Sequence, residues 1–239
     1  MDHCIICDLG AYSLYIFGAN HVRNSFFLDS ALATFTDQYF ILASFILYVE
    51  KMANLVLASS SPRRRELLSQ LSLTFDIFSP EIDESILQNE TAFDYVKRLS
   101  LHKAKAVLLH QQDAIVIAAD TTVAIDGKII GKPESKQHAF AIWSALSGRE
   151  HDVLTGVCVA DRTQYFQDVV CTKVQFQTLS LDDMERYWAT GEPLGKAGAY
   201  AIQGIAAQYI PKISGSYSNV VGLPLYETVQ LLKAVKALN

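Results

Sequence analysis

Six consecutive apolar residues, Ala114-Ile-Val-Ile-Ala-Ala119, stop at Asp120-Thr121, and this run limits the accessible folds more than any other segment of the chain. It has the length of a strand, and without alternating polar residues it predicts a strand covered on both faces. Helices must supply those covers, which implies an α/β domain with a mixed sheet and a cleft. Ligands of open α/β sheets bind in the crevice beyond the carboxyl ends of strands, and there this run presents a carboxylate and a hydroxyl. Two readings of Asp120 stay open on sequence. It caps a turn, or it binds Mg²⁺ and orients or deprotonates a water for hydrolysis.

The flanking segments fit that architecture. Leu55-Val-Leu-Ala58 predicts a strand, Ser61 and Pro62 the N-cap and first position of a helix, and Leu67, Leu68 and Leu71 its apolar face. A strand near Phe75–Phe78 leads into an acidic turn with Glu81, Asp83 and Glu84. Thr91 with Asp94 opens a helix whose stripe runs through Val96, Leu99, Ala104 and Val107 toward Gln111. Val123–Ile125 and Lys128–Ile130 flank Asp126-Gly127 as a hairpin with a two-residue turn. A helix with Ala139, Ile142, Trp143 and Leu146 ends at Gly148. His151–Ala160 and Tyr165–Phe176 read as two long strands with one solvated face. Ser180 and Asp183 open a short helix, a long glycine-containing loop follows, and Pro224 opens the last helix, through Leu238.

Residues 1–51 differ in character: aromatic-rich and ending in the apolar run Tyr39–Val49. Such a run is too short for a bilayer, which needs about 20 residues, and the front lacks the features of a secretory signal. A well-patterned strand follows Met52, so the expectation is a functional domain at 52–239 and an N-terminal extension at 1–51 that is an upstream reading-frame artefact. Cys4, Cys7, Cys158 and Cys171 are spaced for neither a zinc cluster nor a disulfide scaffold, which suits a reducing cytoplasm. Half the residues are apolar, and 20 basic against 25 acidic residues leave a formal charge of -5. That excludes the extended basic face that coating a nucleic acid requires. A local basic cluster still suffices to hold one phosphate chain.

Ser59-Ser-Ser-Pro-Arg63-Arg64-Arg65 is such a cluster, at a predicted helix start. Free N–H groups and partial positive charge gather there, and three arginines oppose the macrodipole at about 0.3–1 kcal/mol each. A polyphosphate offsets that cost, because guanidinium pairs with phosphate oxygens bidentately; a solvated basic helix start is the alternative. Glu84, Lys103 and Lys132 complete such a site, since magnesium and lysine neutralise charge on a phosphoanhydride leaving group. Each alone reads equally as a surface residue. Gly127–Lys132 fails as a phosphate loop, with Asp126 at the leading glycine and Pro133 at the hydroxyl position. His151 reads as a strand-edge polar residue rather than a catalytic base.

Five segments together resemble the Maf family: LASSSPRRRELL (57–68), AADTTVAIDGKIIGKP (118–133), LSGREHDVLTGV (146–157), GEPLGKAGAYAIQG (191–204) and GSYSNVVGLPL (215–225). The likeness covers Met52 to Asn239. It implies an elongated mixed sheet flanked by helices, two lobes around a deep cleft, and a requirement for Mg²⁺ or Mn²⁺. The implied activity is hydrolysis of a nucleoside triphosphate between its α- and β-phosphates. Asp120 falls on the family's proton-acceptor position, and Arg63, Thr121 and Gln203 on positions of the dTTP/UTP branch. Ser61, Arg64, Glu84, Lys103 and Lys132 match residues lining the phosphate and metal side, with Asp120 and Glu84 as metal ligands. Gln203 suits base selection, because an amide donates to O4 and accepts from N3–H of thymine or uracil. Modified pyrimidine nucleotides are further expected substrates. A 7-methyl-GTP pyrophosphatase and a non-catalytic regulator of septum formation are the alternatives, and a homodimer is compatible with the long strands.

Overall fold

The computed structural model describes residues 7–9, 12–14 and 54–238. The chain divides into two units, Met1–Met52 and Ala53–Asn239. In the first, β1 (Cys7–Leu9) and β2 (Tyr12–Leu14) pair antiparallel. The Tyr39–Val49 run, Cys4 and most of the predicted extension lie outside the described residues. Among the described residues no helix is long and apolar enough to cross a membrane.

The second unit carries a seven-stranded mixed sheet. In chain order its elements are β3 (Leu55–Leu57), α1 (Pro62–Ser69), β4 (Asp76–Ile77), α2 (Ala92–Leu108), β5 (Ile115–Ile125), β6 (Lys128–Ile130), α3 (Lys136–Leu146), β7 (Glu150–Ala160), β8 (Tyr165–Gln175), α4 (Leu181–Ala189), β9 (Lys212–Ser214), α5 (Tyr217–Val221) and α6 (Leu225–Ala234). The strand order is β4-β3-β5-β7-β8-β9, with β6 beside β5. β4, β3 and β5 run parallel, and the remaining pairs are antiparallel.

Alternation along the strands builds two apolar layers. Leu55, Leu57, Ile117, Ala119 and Val123 pack on one face with Leu67 and Leu68 of α1 and Trp143 of α3. Val56, Ala58, Val116 and Ala118 pack on the other with Ala104 and Val107 of α2. The expected α/β architecture is therefore present. Thr91 and Ser180 cap α2 and α4 as their spacing predicts. The hairpin turns at Asp126 and Gly127, both with positive φ (51° and 74°), as a two-residue turn of this hand requires.

Four expectations are corrected. The apolar run does not end a strand: β5 continues through Asp120 and Thr121 to Ile125, because its ladder with β7 runs unbroken from Val116 to Ala124. β7 has no solvated face, since α2 covers one side and the main core the other. The long glycine-containing loop holds two 3₁₀ turns, β9 and α5. The last helix stops at Ala234.

His151 is the most displaced from expectation. It is 3 % exposed, bonded through Nε2 to Tyr200 Oη at 2.8 Å, and edge-on to Phe176 and Tyr200. Burial pushes its pKa down to about 4, against the pull of Asp152. The folded chain holds this ring neutral while the unfolded chain protonates it below its ordinary value of 6.5. Stability present above that pH is therefore lost progressively as the pH falls towards about 4, by roughly 3 kcal/mol in all. Denaturant unfolding at stepped pH should show this acid slope in the wild type and a flatter one in His151→Gln. Equal slopes would remove His151 as its source.

Candidate active site

The cavity arises where β5 lacks a neighbour on one edge. β3 pairs with β5 only as far as Ile117, and β6 only from Val123 onward. Ala58 N–H donates to Ile117 O at 2.8 Å, and the chain then leaves the sheet through Ser59, Ser60 and Ser61 into α1. By the strand's two-residue alternation, Ala119 and Thr121 turn their backbone groups toward this gap. A cavity of about 420 Å³ fills it. Its lining includes Ser61, Arg63, Arg64, Glu84, Lys103, Asp120, Thr121 and Lys132.

Asp120 and Lys103 meet between α2 and β5. Both are 8 % exposed, and Lys103 Nζ donates to Asp120 Oδ1 at 2.6 Å and to Glu84 Oε1 at 2.8 Å. Glu84 reaches this point because α2 holds the acidic turn: Tyr95 Oη donates to Glu84 O, and Arg98 donates to Ser85 O. Lys132 stands 3.8 Å from Glu84 Oε2 on the solvent side. Burial works against the Glu84 carboxylate, but the Lys103 hydrogen bond and charge outweigh it, aided by Lys132 and Arg64. Its pKa is held below the ordinary value. Asp120 accepts no backbone N–H among the described bonds, so the turn-cap reading does not describe it.

Across the cavity, α1 presents the arginines. Ser61 sits at the N-cap, but its hydroxyl makes no cap bond and no acid occupies the first turn. The first-turn N–H groups are thus left for another acceptor. Arg64 is held on three sides: Nε to Gly222 O at 2.7 Å, Nη1 to Ser59 Oγ at 3.2 Å and Nη2 to Thr121 Oγ1 at 3.0 Å. Arg63 donates through Nε to Val221 O at 3.4 Å. Burial lowers the pKa of both guanidiniums, opposed by Glu66 at Arg63 and by Asp120 at Arg64. Arg65 is exposed and outside the lining.

Gln203 is not brought to the cavity. Its neighbours Ala201 and Ile202 are buried, which leaves Gln203 exposed on the turn before Gly204. The same loop supplies a residue that sequence reasoning passed over: Lys196 lines the cavity, and burial and Arg63 lower its pKa. Gly195 and Gly198, both at φ 70°, flank it, and the Trp143 indole fixes Ala199 O at 3.0 Å. The glycines were the available signal. Tyr200 was likewise missed, whereas Ser59, which opens the predicted basic cluster, lines the cavity as well.

Five cations (Arg63, Arg64, Lys103, Lys132 and Lys196) thus face two carboxylates, Glu84 and Asp120, a surplus of three positive charges suited to a polyanion. Among the described residues no three His, Cys, Asp or Glu side chains gather into a metal cage. Two carboxylates completed by phosphate oxygens and water are a usual Mg²⁺ environment, and Glu84 and Asp120 fit it.

A family profile described as Maf-like protein matches residues 54–235. The dTTP/UTP pyrophosphatase of Acinetobacter baylyi is 67% identical over 183 residues, covering 77% of this chain and 100% of that protein. The dTTP/UTP pyrophosphatase of Colwellia psychrerythraea is 48% identical over 183 residues, covering 74% of this chain and 86% of its own. Among solved structures the Staphylococcus aureus Ham1 protein aligns with a TM-score of 0.38 at 12% identity, over 52% of this chain and 71% of that one, too slight a likeness to bear on function.

Proposed function

The chain belongs to the Maf family, and from that premise we infer that it hydrolyses dTTP and UTP to the nucleoside monophosphate and pyrophosphate. The observation that carries the reading is a cavity in which five cations surround a buried carboxylate that, among the described residues, is held on one oxygen. Arg63, Arg64, Ser61 and the first-turn N–H groups of α1 grip the phosphate chain, and Lys196 adds charge from the opposite loop. Asp120 takes the proton of a water attacking the α-phosphate; Lys103 holds Oδ1 and leaves Oδ2 for that water. Lys103 and Lys132 neutralise the pyrophosphate as the bond between the α-phosphorus and the bridging oxygen breaks. A divalent cation, Mg²⁺ or Mn²⁺, belongs to this proposal: Glu84 and Asp120 would hold it, and when bound it polarises the α-phosphate and screens the anhydride.

Gln203 is assigned to base selection on the chemistry of its amide rather than on position. The catalytic domain is taken as residues 52–239, acting in the cytoplasm, where Cys158 and Cys171, both free, stay reduced.

Steady-state pyrophosphate release from dTTP, UTP, CTP and 7-methyl-GTP, by the full chain and by residues 52–239, tests the reading. Both forms should favour dTTP and UTP, and Gln203→Ala should narrow that preference. If both leave dTTP and UTP intact in Mg²⁺ or Mn²⁺, the reading is wrong.

A further inference from the structure

The Gly215–Leu225 segment supplies no reacting group, yet α5 abuts both arginines. The carbonyls that hold them, Val221 O and Gly222 O, lie at the C-terminal end of α5. Carbonyls there lack intrahelical donors and carry partial negative charge. Gly222 has φ +127°, a conformation that side-chain-bearing residues rarely adopt, so glycine is what aims this carbonyl at Arg64 Nε.

A second tether runs through hydroxyls and has a fixed direction. Thr155 Oγ1 lies 3.0 Å from Asn219 O, and a carbonyl only accepts, so the one Thr155 proton is committed there. Thr121 Oγ1 lies 2.9 Å from Thr155 Oγ1 and 3.4 Å from Gly222 O, and with the Thr155 proton committed it donates to the nearer oxygen, that of Thr155. That turns the Thr121 lone pairs toward Arg64 Nη2. Asn219 is fully buried and anchored in turn, with Nδ2 donating to Val153 O at 3.0 Å and to Thr172 Oγ1 at 2.9 Å. With three N–H groups of Arg64 so engaged, one remains on each terminal nitrogen.

We propose that Thr155 and Asn219 are positioning residues for the phosphate chain: the directed sequence Arg64 to Thr121 to Thr155 to Asn219 O fixes the guanidinium fork that the phosphates meet. The proposal rests on the cavity being a triphosphate site, and it deepens that reading by naming what orients Arg64. Neither residue is among those lining the cavity.

The test compares Thr155→Val, which keeps the shape and loses the hydroxyl, with Thr155→Ser, which keeps the hydroxyl and loses a methyl. Calorimetric binding of inorganic tripolyphosphate and the KM and kcat for dTTP are both read, with folding checked by circular dichroism. In Thr155→Val the Kd for tripolyphosphate and the KM should rise about tenfold with a much smaller change in kcat. Thr155→Ser should restore both to within about twofold. Should Thr155→Val not fold, Thr155→Cys, a weak donor, carries the same comparison. Unchanged Kd and KM in a folded Val or Cys variant, an equal rise in the Ser variant, or a wild type that does not bind tripolyphosphate overturns the proposal. A wild type that binds tripolyphosphate in a Thr155-dependent way yet leaves dTTP intact supports the positioning and defeats the substrate reading instead.

Discussion

Asp120→Asn is expected to lower kcat for dTTP by about a thousandfold while KM stays within about threefold. A positioned general base is worth about 10²–10⁴ in rate, and a thousandfold loss corresponds to roughly 4 kcal/mol of transition-state stabilisation. The amide has the volume of the carboxylate and still offers Lys103 an oxygen, but it cannot take a proton from water. Lys103 is not stranded by the change, because Glu84 Oε1 lies 2.8 Å from the same ammonium. Removing the sole partner of a buried charge costs about 3–5 kcal/mol; here the retained partner should keep the loss of folding stability to about 1–2 kcal/mol. Kinetics beside denaturant unfolding separate the two effects. Turnover close to the wild type would remove Asp120 from the base role, and a collapse of stability with it would make the residue structural.

The residues that local chemistry marks were legible without coordinates. Arginines at a helix start, and an aspartate interrupting an apolar run, break the ordinary pattern for their position, and the cavity gathers them. What the pattern hid was why Asp120 is exposed to the cavity at all. A polar pair after six apolar residues looks like a strand end, yet β5 runs on, and it is the neighbour β3 that stops. Strand pairing is a tertiary fact that one segment does not reveal. α5 and β9, five and three residues long, are too short to display a period. Lys196 is one lysine in a glycine-bearing loop, and its charge means nothing until Gly195 and Gly198 bend it onto the cavity. His151 defeats the same kind of inference: a polar residue in an alternating strand implies a wet face, whereas this ring lies inside the core with Nε2 on the Tyr200 hydroxyl and Nδ1 without a partner among the described residues.

The second large effect is expected at a residue with no side chain. Gly156→Ala should destabilise the fold by about 3 kcal/mol or more and lower kcat/KM for dTTP at least about a hundredfold. Gly156 lies opposite Asp120 in the β5–β7 ladder, at the point where α2 crosses the sheet. A Cβ there would overlap the Val96 carbonyl and come within 3.0 Å of Lys97 N. These are backbone atoms of a helix, and no rotamer change moves them aside, so α2 itself must retreat. α2 carries Lys103 and, through Tyr95 and Arg98, holds the turn that bears Glu84. One methyl therefore draws Lys103 and Glu84 together away from Asp120 on β5, and a displacement of about 1 Å at a reacting group can cost about a hundredfold in rate. Unfolding midpoints and kinetics on the folded fraction measure the two losses. A variant with the wild-type midpoint would mean that the helix does not seat against this glycine, and a destabilised variant with wild-type kcat/KM would free the catalytic geometry from the position of α2.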